Sequence, residues 1–153
     1  MVENRIARCR GCRVGERPCR FGADAFDAIS ANEGVARVTC PADFDGGPEV
    51  AHGGWIAGVF DDVLGRFLSH GDVKSVTATL SVSFLMPVPV ERPLILRTRI
   101  VSREGRKITM SGTLRLEGET QDRATAEGVW VERRPDHFAR HRTQMSGDRP
   151  GSP

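Results

Sequence analysis

From Gly54 to Ser69 the large apolar residues fall in adjacent pairs: Trp55-Ile56, Val59-Phe60, Val63-Leu64 and Phe67-Leu68, one pair every four positions. Pairs at that interval share one stripe of a 3.6-residue helix and predict a single long amphipathic helix. The intervening positions are small or charged: Ala57, Gly58, Asp61, Asp62, Gly65 and Arg66. Gly58 and Gly65 each cost a helix roughly 1 kcal/mol relative to Ala, which points to close packing against this second stripe.

The rest of the pattern has a period of two. Gly34 to Cys40 alternates weakly and reads as a first strand, and Pro41 to Val50, with Asp43, Asp45, Gly46, Gly47 and Pro48, reads as a loop. In Ser75 to Met86, Val76, Ala78, Leu80, Val82, Phe84 and Met86 alternate with Thr77, Thr79, Ser81 and Ser83 until Pro87 and Pro89 end the run. Leu94 to Ser102, Ile108 to Leu116 and Thr120 to Arg133 supply three more strands. Glu104-Gly105 and Gly118-Glu119 are the turns between them. Short turns require antiparallel neighbours, so the pattern predicts an α+β layer with one wide apolar helix against a curling antiparallel sheet.

The 153 residues suit one domain of ordinary size. Periodicity divides them into an Arg- and Cys-rich segment over 1–24, a folded domain over 25–133, and a polar tail over 134–153 expected to be disordered. The net charge of +2 argues against nucleic acid or a membrane surface as partner. No apolar run reaches the ~20 residues of a membrane span, and the polar N-terminus lacks a secretory core, so the expected location is cytoplasmic with reduced thiols.

Chemistry concentrates at Ala51-His52-Gly53-Gly54 and the helix that follows. A helix N-terminus presents unpaired N–H groups and partial positive charge, and glycines let a ligand oxygen approach them. Asp61 and Asp62 follow two turns later. Adjacent helical residues point about 100° apart, so the two can face different surroundings. His52 reads as an anchor for the loop, and Ser69 and His70 as residues capping the helix end. Cys9-x-x-Cys12 with Cys19 has the look of a metal knuckle, with Cys40 or a His as fourth ligand. A lone C-x-x-C is a weak signal, and no metal or cofactor is expected. Two basic clusters offer rival phosphate contacts: the N-terminal arginines, and Arg103, Arg106 and Lys107 on the hairpin.

Val50-Ala51-His52-Gly53-Gly54 through Asp61, Leu80 to Val88 with its terminal proline, and Glu104-Gly105-Arg106-Lys107 together resemble the PaaI-type acyl-CoA thioesterases of the hotdog-fold superfamily. The resemblance spans about residues 34–133. It implies a curved five- to six-stranded antiparallel sheet wrapped around one long central helix. It also implies a homodimer or homotetramer with active sites at the interface, acting on an acyl-CoA. By that resemblance the Gly53 N–H polarises the thioester carbonyl, and Asp61 from the other subunit is general base or nucleophile. The residues expected to contact substrate are His52, Gly54, Asp62 and Thr77, the last of them by the same resemblance. Two departures stand out. The alternation puts Thr77 on the face away from Val76 and Ala78, so a bulge is needed for it to reach the site. Where many relatives have an Asn or Gln before the His, this chain has Asp45, Gly46 and Gly47. Binding of acyl-CoA without turnover, and hydratase or dehydratase chemistry, are the alternatives on the same scaffold.

Overall fold

The computed structural model describes residues 5–7, 9 and 18–147. Strands β1 (Ala25–Ala28), β2 (Glu33–Thr39), β5 (Ser75–Phe84), β6 (Pro93–Glu104), β7 (Lys107–Leu116) and β8 (Ala124–Glu132) form one antiparallel sheet in the order β1-β2-β6-β7-β8-β5. Helix α1 (Gly53–His70) lies across it, and a small ladder of β3 (Asp45–Gly47) with β4 (Val50–Ala51) precedes the helix. Helix α2 (His137–Gly147) follows the sheet.

The paired apolar residues of α1 are its buried face: Trp55, Ile56, Val59, Phe60, Val63, Leu64, Phe67 and Leu68. Each such burial contributes roughly 1.5–3 kcal/mol. They meet Val38, Leu94, Leu96, Ile108, Met110, Leu114 and Trp130 from the sheet. Where helix and sheet press closest, the sheet has glycine. A Cβ at Gly34 would stand 2.8 Å from the Phe67 ring, and one at Gly112 3.0 Å from Phe60. The helix therefore sits deep in the concave face because two strands give up side chains beneath its phenylalanines.

The strands expected from alternation are present with small shifts of boundary. β1 adds a sixth strand that its four residues, with only Phe26 buried, did not announce. β3 and β4 lie within the segment read as a loop. The hairpin turn is Gly105-Arg106, closed by Glu104 opposite Lys107, with Gly105 at φ 59. Glycine at the first turn position is what such two-residue turns demand. The 134–153 tail, expected to be disordered from its polar composition, instead carries helix α2 over residues 137–147, although α2 buries none of its residues.

The N-terminal segment packs on the domain rather than trailing from it. Arg5 bridges to Asp27, the Ile6 N–H donates to the Phe26 carbonyl at 2.7 Å, and Ile6 is buried. Phe21 covers Gly58, where a Cβ would stand 2.8 Å from its ring, and the Trp55 indole donates to the Arg20 carbonyl at 2.9 Å. The close packing signalled by the small stripe of α1 is thus supplied partly by the chain itself. One sheet edge, β1, is bridged by this segment. The other, β5, is open among the described residues.

Candidate active site

His52 is the N-cap of α1. Its Nδ1 accepts from the Gly54 N–H at 2.8 Å, and its backbone N–H donates to the Phe44 carbonyl at 2.9 Å. The loop is tight around it: a Cβ at Gly46 would stand 2.8 Å from the His52 Cα. A side chain at 46 would displace the cap. Capping uses the Gly54 N–H. The Gly53 N–H, first in the helix, has no carbonyl within the helix to bond and no partner among the described residues. It remains available to an oxygen acceptor beside the positive end of the helix. The Phe84 ring, at the end of β5, lies beside Gly53, 3.5 Å from where a Cβ would be.

Two turns later the neighbouring carboxylates part. Asp61 is exposed, and its Oδ1 accepts from the Thr77 hydroxyl at 2.6 Å. Its Oδ2 has no partner among the described residues. Asp62 turns to the other flank and pairs with Arg66, Nε to Oδ2 at 3.0 Å, with side chains only 14% and 11% exposed. The pair is close but poorly aligned, because Asp62 Oδ2 and Arg66 Nε form no well-directed hydrogen bond. Arg66 also lies over the Phe26 ring, 5.4 Å from its centroid, and reaches the Ala7 carbonyl at 3.4 Å. Desolvation pushes the Asp62 carboxyl above its ordinary pKa. Arg66 pulls it down, and the negative Asp61 beside it adds to the rise.

Thr77 reaches Asp61 because β5 carries the bulge that the alternation required. Pairing with β8 runs Thr77 opposite Trp130 and then Thr79 opposite Val129, skipping Ala78. The extra residue reverses the phase of the strand, so Thr77 shares the helix side with Leu80 and Val82 while Val76 turns outward. Across the ladder, Gly128 makes room: a Cβ there would stand 2.6 Å from the Thr79 carbonyl oxygen.

The structure therefore brings Asp61 and Thr77 together, and places His52, Gly53 and Gly54 together at the helix start. It does not unite the two groups in one chain. Eight residues of helix separate Gly53 from Asp61, about 12 Å at 1.5 Å per residue, whereas one carbonyl needs its donor and its base each about 3 Å away. Asp62 is on the far flank. Ser69 donates to the Gly65 carbonyl, and the helix is capped by Gly71, with Asp72 at φ 61, rather than by Ser69 and His70. Phe84, beside Gly53, is a site neighbour the periodic pattern treated as core. Its 58% exposure separates it from the buried apolar residues.

Of the cysteines, Cys12 lies outside the described residues. Cys40 is fully buried, and desolvation first, then Glu91, Asp43 and Asp45, push its thiol up to about 12. A thiol so held stays protonated and does not suit a metal ligand. The described residues contain no His/Cys/Asp/Glu cluster able to hold a metal. No helix among them is long and apolar enough to cross a membrane.

A curved antiparallel sheet around one long helix, entered through a His-Gly-Gly cap, defines the hotdog class of α+β proteins. The sequence profile of the thioesterase superfamily matches residues 49–122, just under half of the chain. The acyl-coenzyme A thioesterase THEM4 of Rattus norvegicus is 28% identical over 116 residues, 71% of this chain and 49% of that protein. The thioesterase superfamily protein RHA08564 is 33% identical, covering 70% of this chain and 55% of that one, with a TM-score of 0.64. The Escherichia coli PaaI protein of the phenylacetic acid degradation operon superposes with a TM-score of 0.66 at 15% identity, over 72% of this chain and 83% of that one. The chain thus spans about half the length of the first two.

Proposed function

We propose that the protein is an acyl-CoA thioesterase, active as a homodimer or an assembly of such dimers. The observation that carries this reading is the Asp61–Thr77 pair: an exposed helical carboxylate with one oxygen fixed by a strand hydroxyl and the other free. In the reaction, water attacks the thioester carbon and gives its proton to Asp61 Oδ2. The carbonyl oxygen, now negative, is held by the Gly53 N–H of the partner subunit. Collapse breaks the C–S bond, and the departing thiolate takes the proton from Asp61. A positioned base contributes about 10²–10⁴-fold and one oxyanion donor about 3 kcal/mol.

Three features support the dimer. Gly53 and Asp61 of one chain are too far apart to serve one carbonyl. β5 is an open edge whose backbone groups invite a second strand. Phe84 and Leu85, 58% and 57% exposed, put apolar surface at its end. Antiparallel pairing of two β5 edges about a two-fold axis carries the helix start of one chain toward Asp61 of the other. A streptococcal hypothetical thioesterase, 14% identical with a TM-score of 0.63, has been solved with coenzyme A. It has also been solved as single Asp→Ala and Thr→Ala variants whose sites are as far apart in sequence as Asp61 and Thr77. With Cys19 and Cys40 free, the reading places the protein in a reducing compartment, the cytoplasm.

The test is thiol release from short, medium, branched and aromatic acyl-CoAs by wild type and Asp61→Ala. Turnover by wild type that the variant loses is expected. The lack of an Asn or Gln shortly before His52, where Asp45, Gly46 and Gly47 stand, favours a second reading in which the dimer binds acyl-CoA without cleaving it. Tight binding with no thiol release from any thioester would establish that reading instead. Dehydratase chemistry is disfavoured because His52 caps α1 and His70 is its last residue, so no histidine stands in the helix interior.

A further inference from the structure

Beyond the reacting centre, the structure holds a basic cleft of about 420 Å³ beside Val76 of β5, between α2, the β6–β7 turn and the end of β8. We propose that it binds the phosphate groups of the coenzyme A moiety, which makes the preferred substrate a CoA thioester rather than one carried on a protein. This rests on the thioesterase reading for its place in the reaction, but not for binding itself.

The charge balance singles out the cleft. The two acidic residues that line it, Glu132 and Asp136, already face cations, Arg103 and Arg140 respectively. Arg106, Arg133 and Arg134 line it with no carboxylate partner among the described residues, so an excess of positive charge is left unspent. Two of these are held in place. Arg133 stacks on Phe138 of α2, 4.7 Å from the ring centroid, and Arg106 donates to the Glu132 carbonyl at 3.3 Å. A stacked guanidinium keeps its planar donor edge free for a bidentate contact with phosphate oxygens. The cleft lies within the size range of small-ligand sites.

Its position fits as well. Val76 lines the cleft and precedes Thr77, and alternation along β5 sends the two to opposite faces. Phosphates in the cleft and a thioester at Asp61 are therefore separated by one edge strand, and an extended pantetheine arm joins them past the Ser75 end of β5. This accounts for α2, an eleven-residue helix that buries nothing of its own yet sets one wall of a basic groove beside the candidate site.

The experiment compares wild type with Arg133→Gln/Arg134→Gln on an acyl-CoA and on the matching acyl-pantetheine, which lacks the nucleotide phosphates. In parallel, calorimetry measures binding of CoA and of pantetheine without turnover. Arg134→Gln alone, at an exposed position that leaves the Arg133 stack intact, guards against a folding defect. The double variant is expected to raise KM for acyl-CoA about tenfold at low salt with kcat held, to weaken CoA binding equally, and to leave acyl-pantetheine kinetics unchanged. Unchanged KM and CoA affinity would overturn the cleft while leaving the thioesterase reading intact. Arginine-dependent CoA binding without hydrolysis of any thioester would uphold the cleft and sink the activity. Arginine-dependent cleavage of an acyl carrier protein in preference to acyl-CoA would overturn the CoA assignment.

Discussion

Asp61 and Asp62 are neighbours in sequence and opposites in surroundings. Asp61 stands exposed at the open edge of the sheet, tied to Thr77 and otherwise free. Asp62 lies on the flank that the N-terminal segment closes, largely buried and paired with Arg66, whose guanidinium lies over the Phe26 ring. The difference shows how one helix can serve two purposes. A turn of about 100° carries the chain from a flank available for chemistry to a flank committed to packing. The residue type is the same; what differs is what the rest of the chain lays over it.

The largest effect expected from breaking this contrast is catalytic. Asp61→Asn should lower kcat for the best thioester by about 10²–10⁴-fold, because the amide cannot take a proton from water. Its stability should stay within about 0.5 kcal/mol of wild type, as for exposed positions generally. Asp62→Asn assayed beside it should keep kcat within a few-fold. Equal losses in both variants would end the distinction between the two flanks.

Next comes the stability of the closed flank. Arg66→Ala removes the cation paired with the largely buried Asp62 carboxylate and the side chain packed on Phe26. It should destabilise the fold by about 3 kcal/mol at neutral pH, read from urea unfolding. The loss should shrink in acid, where Asp62 can protonate. A variant as stable as wild type would mean that the closed flank contributes nothing to the fold.

Thr77 sharpens the open flank. Thr77→Val keeps the shape of the side chain and removes the donor to Asp61, and about tenfold should be lost in kcat with KM little changed. Thr77→Ser, which keeps the hydroxyl, should recover most of the loss. A deficit that serine does not repair would make Thr77 a packing residue of the bulge.

How much of this was legible before folding follows the same division. Helix α1 and the four strands after it were readable because burial on one face imposes a period. The need for a bulge at Thr77 was readable too, since alternation put a candidate site residue on the wrong side. Not readable was which carboxylate would be covered. Helical geometry separates Asp61 from Asp62, but this flank is closed by Phe21 over Gly58 and by Ala7 and Phe26 against Arg66, in a segment whose contacts have no period. Short β1 gave no signal for the same reason, with one buried residue in four. Helix α2 escaped because it buries nothing, and a polar composition without an apolar stripe resembles a disordered tail.

The smallest expected effect tests the closed flank by proton linkage. A carboxyl whose folded pKa is raised binds protons more readily in the native state than in the unfolded chain. Over that interval the unfolded state holds fewer protons, so stability falls as pH rises. The fall starts near the ordinary aspartate value of about 3.9 and ends once pH has passed the raised pKa of Asp62. Asp62→Asn resembles the protonated form and removes this contribution. It should unfold within about 1 kcal/mol of wild type at neutral pH, but with a stability curve that declines less between pH 4 and 7. Urea titrations at stepped pH give the difference directly, because every other carboxylate is common to both proteins. Parallel curves would mean that Arg66 fully offsets the burial of Asp62. A steeper decline in the variant would mean that Arg66 more than offsets it, and that ionised Asp62 stabilises the closed flank.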